Sequence, residues 1–214
     1  TYNYKDSDIQ SSMIIGGNIT KVNDDYILGV YDSDRNFYIF KFNGDFHSNE
    51  NIILLQSIMK NDDYKYSEHS FAKFDDESIY LILREDMQRK DTLLFKYNVE
   101  NNLFEEIVSI NDCAFDGMCA TRVTKDVCAI FGRNINDLYS YCRYCLINKS
   151  GHVFINKAKF LKYVDSWDCA YCAPVVKDGS VINIFYLKTD VENNNYAVVC
   201  NTVDVDTITN LIYY

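Results

Sequence analysis

Short apolar runs separated by acidic or asparagine-rich turns recur along the whole chain. Four of these runs, at residues 26–31, 79–83, 127–131 and 181–187, are apolar at successive positions, which is typical of strands buried on both faces. An aspartate precedes each run, at Asp25, Asp76, Asp126 and Asp178. Another predicted strand ends just before each aspartate, at residues 17–22, 69–74, 119–124 and 172–176. The pattern therefore predicts the same hairpin four times, at a period of about 50 residues.

Two further predicted strands follow each hairpin. The third strands are residues 40–43 and 95–98, which align as Phe-Lys-Phe-Asn and Phe-Lys-Tyr-Asn, together with 138–146 and 196–203. The fourth are 52–58, 104–110, 153–160 and 208–213. Residues 51–60 are the nearest candidate for a helix. Each quarter of the chain thus reads as four strands, in repeats of about 10–60, 67–111, 117–162 and 168–214.

A repeat of this size is too small to bury its own apolar faces and needs its neighbours. Four strands per unit, repeated around a common core, predict a β-propeller of four four-stranded blades in one domain, 1–214. A β-sandwich also has short strands at regular spacing and is the alternative fold. The other alternative is that the chain forms part of a larger propeller.

Two segments resemble known propeller superfamilies. Residues 173–182 resemble the strand-turn-strand opening of sialidase-like blades, and residues 98–107 resemble the turn and outer strand of a kelch repeat. The texture is also similar to the cysteine-rich protective antigen type of malaria parasites, which implies a disulfide-bonded propeller without enzymatic activity. The arginine that sialidases carry in the first strand is missing before Pro174. Kelch repeats carry a Gly-Gly doublet after an apolar strand, and Gly16–Gly17 is the only such doublet in this chain. The resemblance therefore implies a fold and not an activity.

Composition narrows the function classes. The formal charge is −10, from 31 acidic and 21 basic residues, and this field opposes binding of nucleic acid phosphates. No apolar run approaches the length of a membrane span, so we expect no membrane insertion. The three histidines, His47, His69 and His152, form no pair typical of a metal site and neighbour no nucleophile. We expect no catalytic set, no metal and no cofactor, and the sequence leans away from an enzyme.

All eight cysteines lie in the second half of the chain: Cys113, Cys119, Cys128, Cys142, Cys145, Cys169, Cys172 and Cys200. The two Cys-x-x-Cys pairs have zinc spacing, but residues i and i+3 of a strand point to opposite faces. Disulfides in an oxidising compartment are favoured, for instance Cys119 with Cys128, or a third-strand cysteine with Cys200. The sequons at Asn18 and Asn148 also suit a secreted or cell-surface glycoprotein. Buried free thiols in a cytoplasmic protein are the alternative.

A basic residue recurs at one position of the first strand, as Lys21, Lys73 and Arg122. In a propeller these strands line the axis, so the three cations would form a ring able to hold an anion. The alternative is that they pair with the acidic turns three or four residues further on, where exposed pairs contribute about 0–1 kcal/mol.

Aromatic residues in the predicted inter-blade segments suggest a binding surface, because tyrosine is enriched at interfaces. These candidates are Tyr64, Tyr66, Tyr163, Trp167 and Tyr171, with core packing as the alternative. The sequence thus predicts a non-enzymatic module that recognises a protein partner, and its composition suggests a surface protein of a parasite or virus. Alternatives are a glycan-binding or glycan-hydrolysing sialidase-like propeller, and a structural subunit of a larger assembly.

Overall fold

The computed structural model describes residues 12–44, 52–60, 65–85, 91–110, 115–134, 141–156, 161–162, 172–190 and 195–213. The fold is all-β: of the residues described, 69% lie in strands and 5% in helices. Within the described residues the strands form four antiparallel sheets that follow one another along the chain, here called blades 1 to 4.

Blade 1 contains β1 (Met13–Ile14), β2 (Ile19–Val22), β3 (Asp25–Asp32), β4 (Phe37–Phe42) and β5 (Ile52–Ile58). Blade 2 contains β6 (Tyr66–Lys73), β7 (Ile79–Glu85), β8 (Thr92–Asn98) and β9 (Leu103–Ile110). Blade 3 contains β10 (Phe115–Arg122), β11 (Val127–Asn134), β12 (Tyr141–Asn148), β13 (Val153–Ile155) and β14 (Leu161–Lys162). Blade 4 contains β15 (Cys172–Lys177), β16 (Val181–Asp190) and β17 (Asn195–Asp204), followed by helix α1 (Val205–Thr209) and a 3₁₀ helix (Asn210–Tyr213).

Consecutive blades pack face to face through buried apolar clusters. Strand β7 shows why its sequence is apolar at successive positions. Leu81 and Leu83 face blade 1, whereas Tyr80 and Ile82 face blade 3, and all four are 0% exposed. A third cluster joins blade 3 to blade 4. Because a middle blade is covered on both sides, its strands lose the polar alternation that an exposed face would require.

The first strands of the blades lie side by side around an axis. Strand β6 runs next to β2 and β10, and β10 runs next to β15. Four sheets that radiate in series from neighbouring inner strands form a β-propeller, so the predicted fold is confirmed and the β-sandwich alternative is wrong. Blade 2 has the four strands predicted for every blade.

The largest difference from the predicted elements is at the end of the chain. Residues 208–213 were expected to form an outer strand, but α1 and the 3₁₀ helix occupy this segment. The side chains of Val205 and Ile208 are 4% and 0% exposed and pack on the cluster between blades 3 and 4. Conversely, the candidate helix at 51–60 is strand β5. Within the described part of the chain, no helix is long and apolar enough to cross a membrane.

No disulfide joins the five cysteines whose side chains are described, which corrects the predicted disulfides among Cys119, Cys128, Cys142, Cys145 and Cys200. Cys119 lies opposite Phe131, and Cys128 lies opposite Arg122. Cys119 and Cys128 therefore do not face each other across β10 and β11. Cys142 and Cys145 pack on opposite faces of blade 3. Burial raises the pKa of the Cys128 thiol to about 12. Cys113, Cys169 and the side chain of Cys172 lie outside the described residues.

Candidate functional site

The three predicted axial cations lie at the hairpin end of the inner strands. Lys73 Nζ donates to the backbone carbonyl of Lys21 and pairs with Asp76 at 2.5 Å, which lowers the pKa of Asp76. Arg122 Nη1 donates to the carbonyl of Phe74 at 2.9 Å. Lys73 and Arg122 therefore each reach back to the first strand of the preceding blade. Both contacts are with the protein itself, and an anion at this ring stays a prediction.

Lys21 makes a different contact from the other two cations. Its Nζ lies 5.9 Å from the centroid of the Tyr26 ring, a distance at which a cation is attracted to the aromatic face.

The predicted tyrosine surface falls almost entirely outside the described residues, since this is where Tyr64, Tyr163, Trp167 and Tyr171 lie. Tyr66 is described and is 5% exposed, inside the cluster between blades 1 and 2. Its ring is therefore a core side chain, which corrects its assignment to an interface.

One predicted sequon residue has a structural role. Asn18 Oδ1 accepts from the Phe71 amide at 2.6 Å, and Asn18 Nδ2 donates to the Phe71 carbonyl at 3.1 Å. The Asn18 side chain thus pairs with the backbone of β6 as a further strand would. Because this joins blade 1 to blade 2 beside the axis, glycosylation of Asn18 would break the contact.

A cavity of about 520 Å³ opens between the inner parts of blades 1, 2 and 3. Its wall is formed by the segment before β2, by β6 and by β10. The described lining residues are Ile14, Ile15, Gly16, Gly17, Asn18, Tyr31, Glu68, Ser70, Gly117, Met118 and Cys119. The cavity thus combines aliphatic and aromatic surface with a carboxyl, an amide and a hydroxyl, as ligand sites commonly do.

Glu68, which the sequence reasoning did not single out, belongs to a charged cluster at this cavity. Arg84 Nη1 lies 3.1 Å from Glu68 Oε2 and 2.5 Å from Asp116 Oδ1. Arg133 Nη2 lies 2.8 Å from Asp116 Oδ2. Glu68 and Asp116 are 9% and 7% exposed, so two carboxyl and two guanidinium groups balance one another in a nearly buried site.

Paired β-bulges place the acidic residues of this cluster. The β6–β7 register shifts between Tyr66 and His69, and the β10–β11 register shifts between Asp116 and Cys119. A bulge re-aims side chains at a strand end and is frequent beside functional sites. Gly117 lies in the second bulge with φ of 59°, and its amide donates to Glu68 Oε2 at 2.7 Å. The two inner strands are thereby fastened at the cavity wall.

The Asp116 carboxyl has a pKa above its ordinary range. Burial, then the hydrogen bond and charge of Glu68, raise the pKa of Asp116 to about 6, against the opposing attraction of Arg84 and Arg133. Two neighbouring carboxyls that share one proton are a common arrangement for proton transfer. Structural ion-pair networks shift pKa values as well, so the shift is informative only together with the cavity.

A repeat signal for this cluster is present in the sequence. Arg84 and Arg133 are each the penultimate residue of their second strand, in β7 and β11. Strand ends are harder to align than hairpins, because the connections that follow them differ in length. The carboxyl partners do not repeat, since Gly117 occupies the position in blade 3 that Glu68 has in blade 2.

No family model and no curated protein matches this chain. Solved structures do match. A protein of unknown function from Dyadobacter fermentans has a TM-score of 0.65 and 11% identity, over 88% of this chain and 52% of that one. The GH43 protein BlXynB from Bacillus licheniformis has a TM-score of 0.61 and 8% identity, over 90% of this chain and 40% of that one. A variant of the exo-β-1,3-galactanase from Phanerochaete chrysosporium, solved with β-1,3-galactotriose, has a TM-score of 0.56 and 7% identity, over 84% of this chain and 48% of that one.

The chain spans about half the length of these three structures. Identities this low show a common fold and nothing more, and that fold is the propeller. Likeness to sialidase-like, kelch-like or protective-antigen propellers stays an interpretation of the sequence.

Proposed function

We propose that this chain is a glycan-binding propeller whose axial cavity holds part of an oligosaccharide against Glu68. The observation that carries the proposal is a nearly buried carboxyl that lines a cavity of about 520 Å³, within the usual volume range of ligand sites. Recognition of a protein partner through tyrosines, predicted from the sequence, remains untested, since four of the five candidates lie outside the described residues.

The cavity wall suits the two surfaces of a sugar ring. Pyranose and furanose rings present C–H groups on their faces and hydroxyls around their edge. Tyr31, Ile14 and Ile15 supply apolar contact for the C–H faces of the ring. The Glu68 carboxyl can accept from hydroxyl groups, and a hydrogen bond to a charged group contributes about 1.5–3 kcal/mol. The cation ring is absent from the described lining, so a neutral glycan fits this cavity better than an acidic one.

Glycan hydrolysis is the second candidate. It is favoured by the exo-β-1,3-galactanase and the GH43 protein that share this fold, and by the raised pKa of Asp116, about 6. Glycosidases of the common mechanisms place two carboxyl groups about 5–9.5 Å apart, on either side of the bond that breaks. Glu68 and Asp116 instead contact one nitrogen of Arg84 and each other. No bond of a substrate fits between them, so binding is the better-supported function.

The experiment is a titration of the purified chain with neutral oligosaccharides, including β-1,3-galactotriose, followed by calorimetry. Glu68→Gln keeps the shape and removes the charge, so we expect at least about tenfold weaker binding. The control is Glu105→Gln, which removes an exposed carboxylate on the outer strand of blade 2 and should leave binding unchanged. Binding by none of the oligosaccharides, or equal binding by the Glu68 variant, would refute the proposal.

Incubation of the same sugars with the wild-type chain at pH 5–7 separates the two candidates. Release of shorter sugars that stops in the Asp116→Asn variant would establish hydrolysis. Stable complexes without cleavage establish a binding module.

A further inference from the structure

One face of blade 4 exposes apolar side chains around a hydrogen-bonded polar pair, Asn183 and Thr202, which lie in one row with Val175. Ala173, Val175, Phe185, Val198 and Cys200, here called the outward face of blade 4, all point away from blade 3. Ala173, Phe185 and Cys200 form one row across the three strands. Val175, Phe185 and Val198 are 51%, 38% and 74% exposed. Apolar side chains grouped in this way on a sheet mark a surface that packs on something else.

The repeat shows what normally covers this face. Three residues occupy the same position in the second strands of blades 2, 3 and 4: Ile82, Phe131 and Phe185. Each lies four residues after the residue that closes its hairpin, which is Ser78, Val127 or Val181 respectively. Ile82 and Phe131 are 0% exposed because blades 3 and 4 lie on them.

The third strands show the same contrast. Leu94 lies opposite Ile82 and is 0% exposed, and Tyr144 lies opposite Phe131 and is 4% exposed. Cys200, which lies opposite Phe185, is exposed. Blade 4 therefore keeps the side chains of a packing face without a described sheet upon it.

We infer that the outward face of blade 4 is a homodimer interface, covered by the same face of a second copy of this chain. Isologous pairing is favoured because the opposite end of the blade series is occupied. On the outer face of blade 1, Val30, Tyr38 and Phe40 are 3–5% exposed and already buried within the chain. That face cannot accept blade 4 of another copy, which excludes head-to-tail association through it.

The rim of the face is complementary to itself. Lys177, Val181 and Asp204 form the row at the hairpin end, with one cation and one anion, both exposed. A two-fold axis parallel to β16 places β15 of one copy over β17 of the other. Lys177 then lies over Asp204 of the partner subunit. Stacked sheets keep their strands within about 30° of each other, as this arrangement does.

The test is sedimentation equilibrium of the wild-type chain between about 1 and 200 μM. One face of a three-stranded sheet makes a small interface, for which dissociation constants near the micromolar range are expected. We therefore expect a mass that rises from 24.9 kDa towards twice that value. Val198→Glu puts a charge at the most exposed position and should weaken dimerisation at least tenfold, without loss of the fold by circular dichroism. Val99→Glu changes a valine 44% exposed in blade 2 and should dimerise as the wild type does.

Alkylation of Cys200 gives a second readout. In the dimer its thiol should react at least several-fold more slowly at 200 μM than at about 1 μM, whereas in Val198→Glu the two rates should agree. A wild type that stays monomeric throughout, a Val198→Glu chain that dimerises equally well, or equal weakening by Val99→Glu would overturn the inference.

Discussion

Two buried residues beside the axis respond to pH in opposite directions. His69 is 0% exposed, between the rings of Phe37 and Phe71 at centroid distances of 5.2 Å. Burial lowers the pKa of His69 to about 4, against the stabilising hydrogen bond to the Asn18 carbonyl. Asp116, in the neighbouring strand, has a pKa raised to about 6. Between pH 4 and 6.5, His69 and Asp116 therefore change the free energy of unfolding in opposite directions.

The effect of His69 should appear as a loss of stability in acid. An unfolded histidine has a pKa near 6.5, so between pH 6.5 and 4 the unfolded state binds more protons than the folded one. The free energy of unfolding then falls as pH falls, by on the order of 2 kcal/mol for this residue. Urea denaturation at several pH values should give a flatter acid limb for His69→Gln. His152→Gln, at an exposed turn, is the matched control and should follow the wild-type curve. An unchanged slope in His69→Gln would contradict the prediction.

Asp116 should act in the other sense. Its folded-state pKa lies above the unfolded value near 3.9, so between about pH 4 and 6 the folded state holds the proton more tightly. The free energy of unfolding therefore falls as pH rises through this window. Asp116→Asn removes that decline, and its denaturation curves should show stability that rises more steeply from pH 4 to 6 than in the wild type. If the variant and wild-type slopes agree, Asp116 does not titrate in this range.

At the scale of elements, close approach of blades 1 and 2 explains the single glycine doublet. A Cβ on Gly17 would lie 2.0 Å from the carbonyl oxygen of His69 and 2.8 Å from its carbonyl carbon. These are backbone atoms of β6, and a side chain at Gly17 would push the two strands apart. The single glycine doublet of the sequence is thus explained by a contact between blades beside the cavity.

Gly17→Ala should therefore be strongly destabilising, by about 2–4 kcal/mol, the range of severe overpacking. The control is Gly179→Ala, since Gly179 has φ of 70° and no atom within 4 Å of the added Cβ. That change introduces backbone strain alone, with an expected cost of about 1 kcal/mol. Thermal denaturation of both variants gives the comparison. Equal melting temperatures would show that the approach of the two strands is not tight.

Local patterns predicted the strands of blade 1 and the second strand of every blade better than the last segment of the chain. Strand β5 has the predicted bounds, and the apolar second strands are found in all four blades. The final segment differs because an outer strand and a short amphipathic helix both need only one apolar side, here Val205 and Ile208. Periodicity over six residues does not distinguish them, and the choice depends on packing against blade 3.

At the scale of the whole molecule, the repeat was enough to predict a four-bladed propeller, whereas the site was not predicted. The hairpins recur because each blade needs the same inner turn. The Glu68–Asp116 cluster depends on two bulges and on a glycine with positive φ, which place non-equivalent residues of adjacent blades in contact. A fixed period reveals equivalent positions, and this cluster joins positions that are not equivalent.

The repeat also ranks the equivalent positions Ile82, Phe131 and Phe185 by their contribution to stability. Ile82→Ala and Phe131→Ala remove side chains buried between blades and should each cost about 2–5 kcal/mol. Phe185→Ala removes a ring that the chain itself leaves 38% exposed, and should cost less than either when unfolding is measured on dilute monomer. Urea denaturation at about 1 μM tests the order. A cost for Phe185→Ala equal to that of Phe131→Ala would mean that the chain already covers the outward face of blade 4, and a blade that is covered within one chain has no apolar surface left for a second copy.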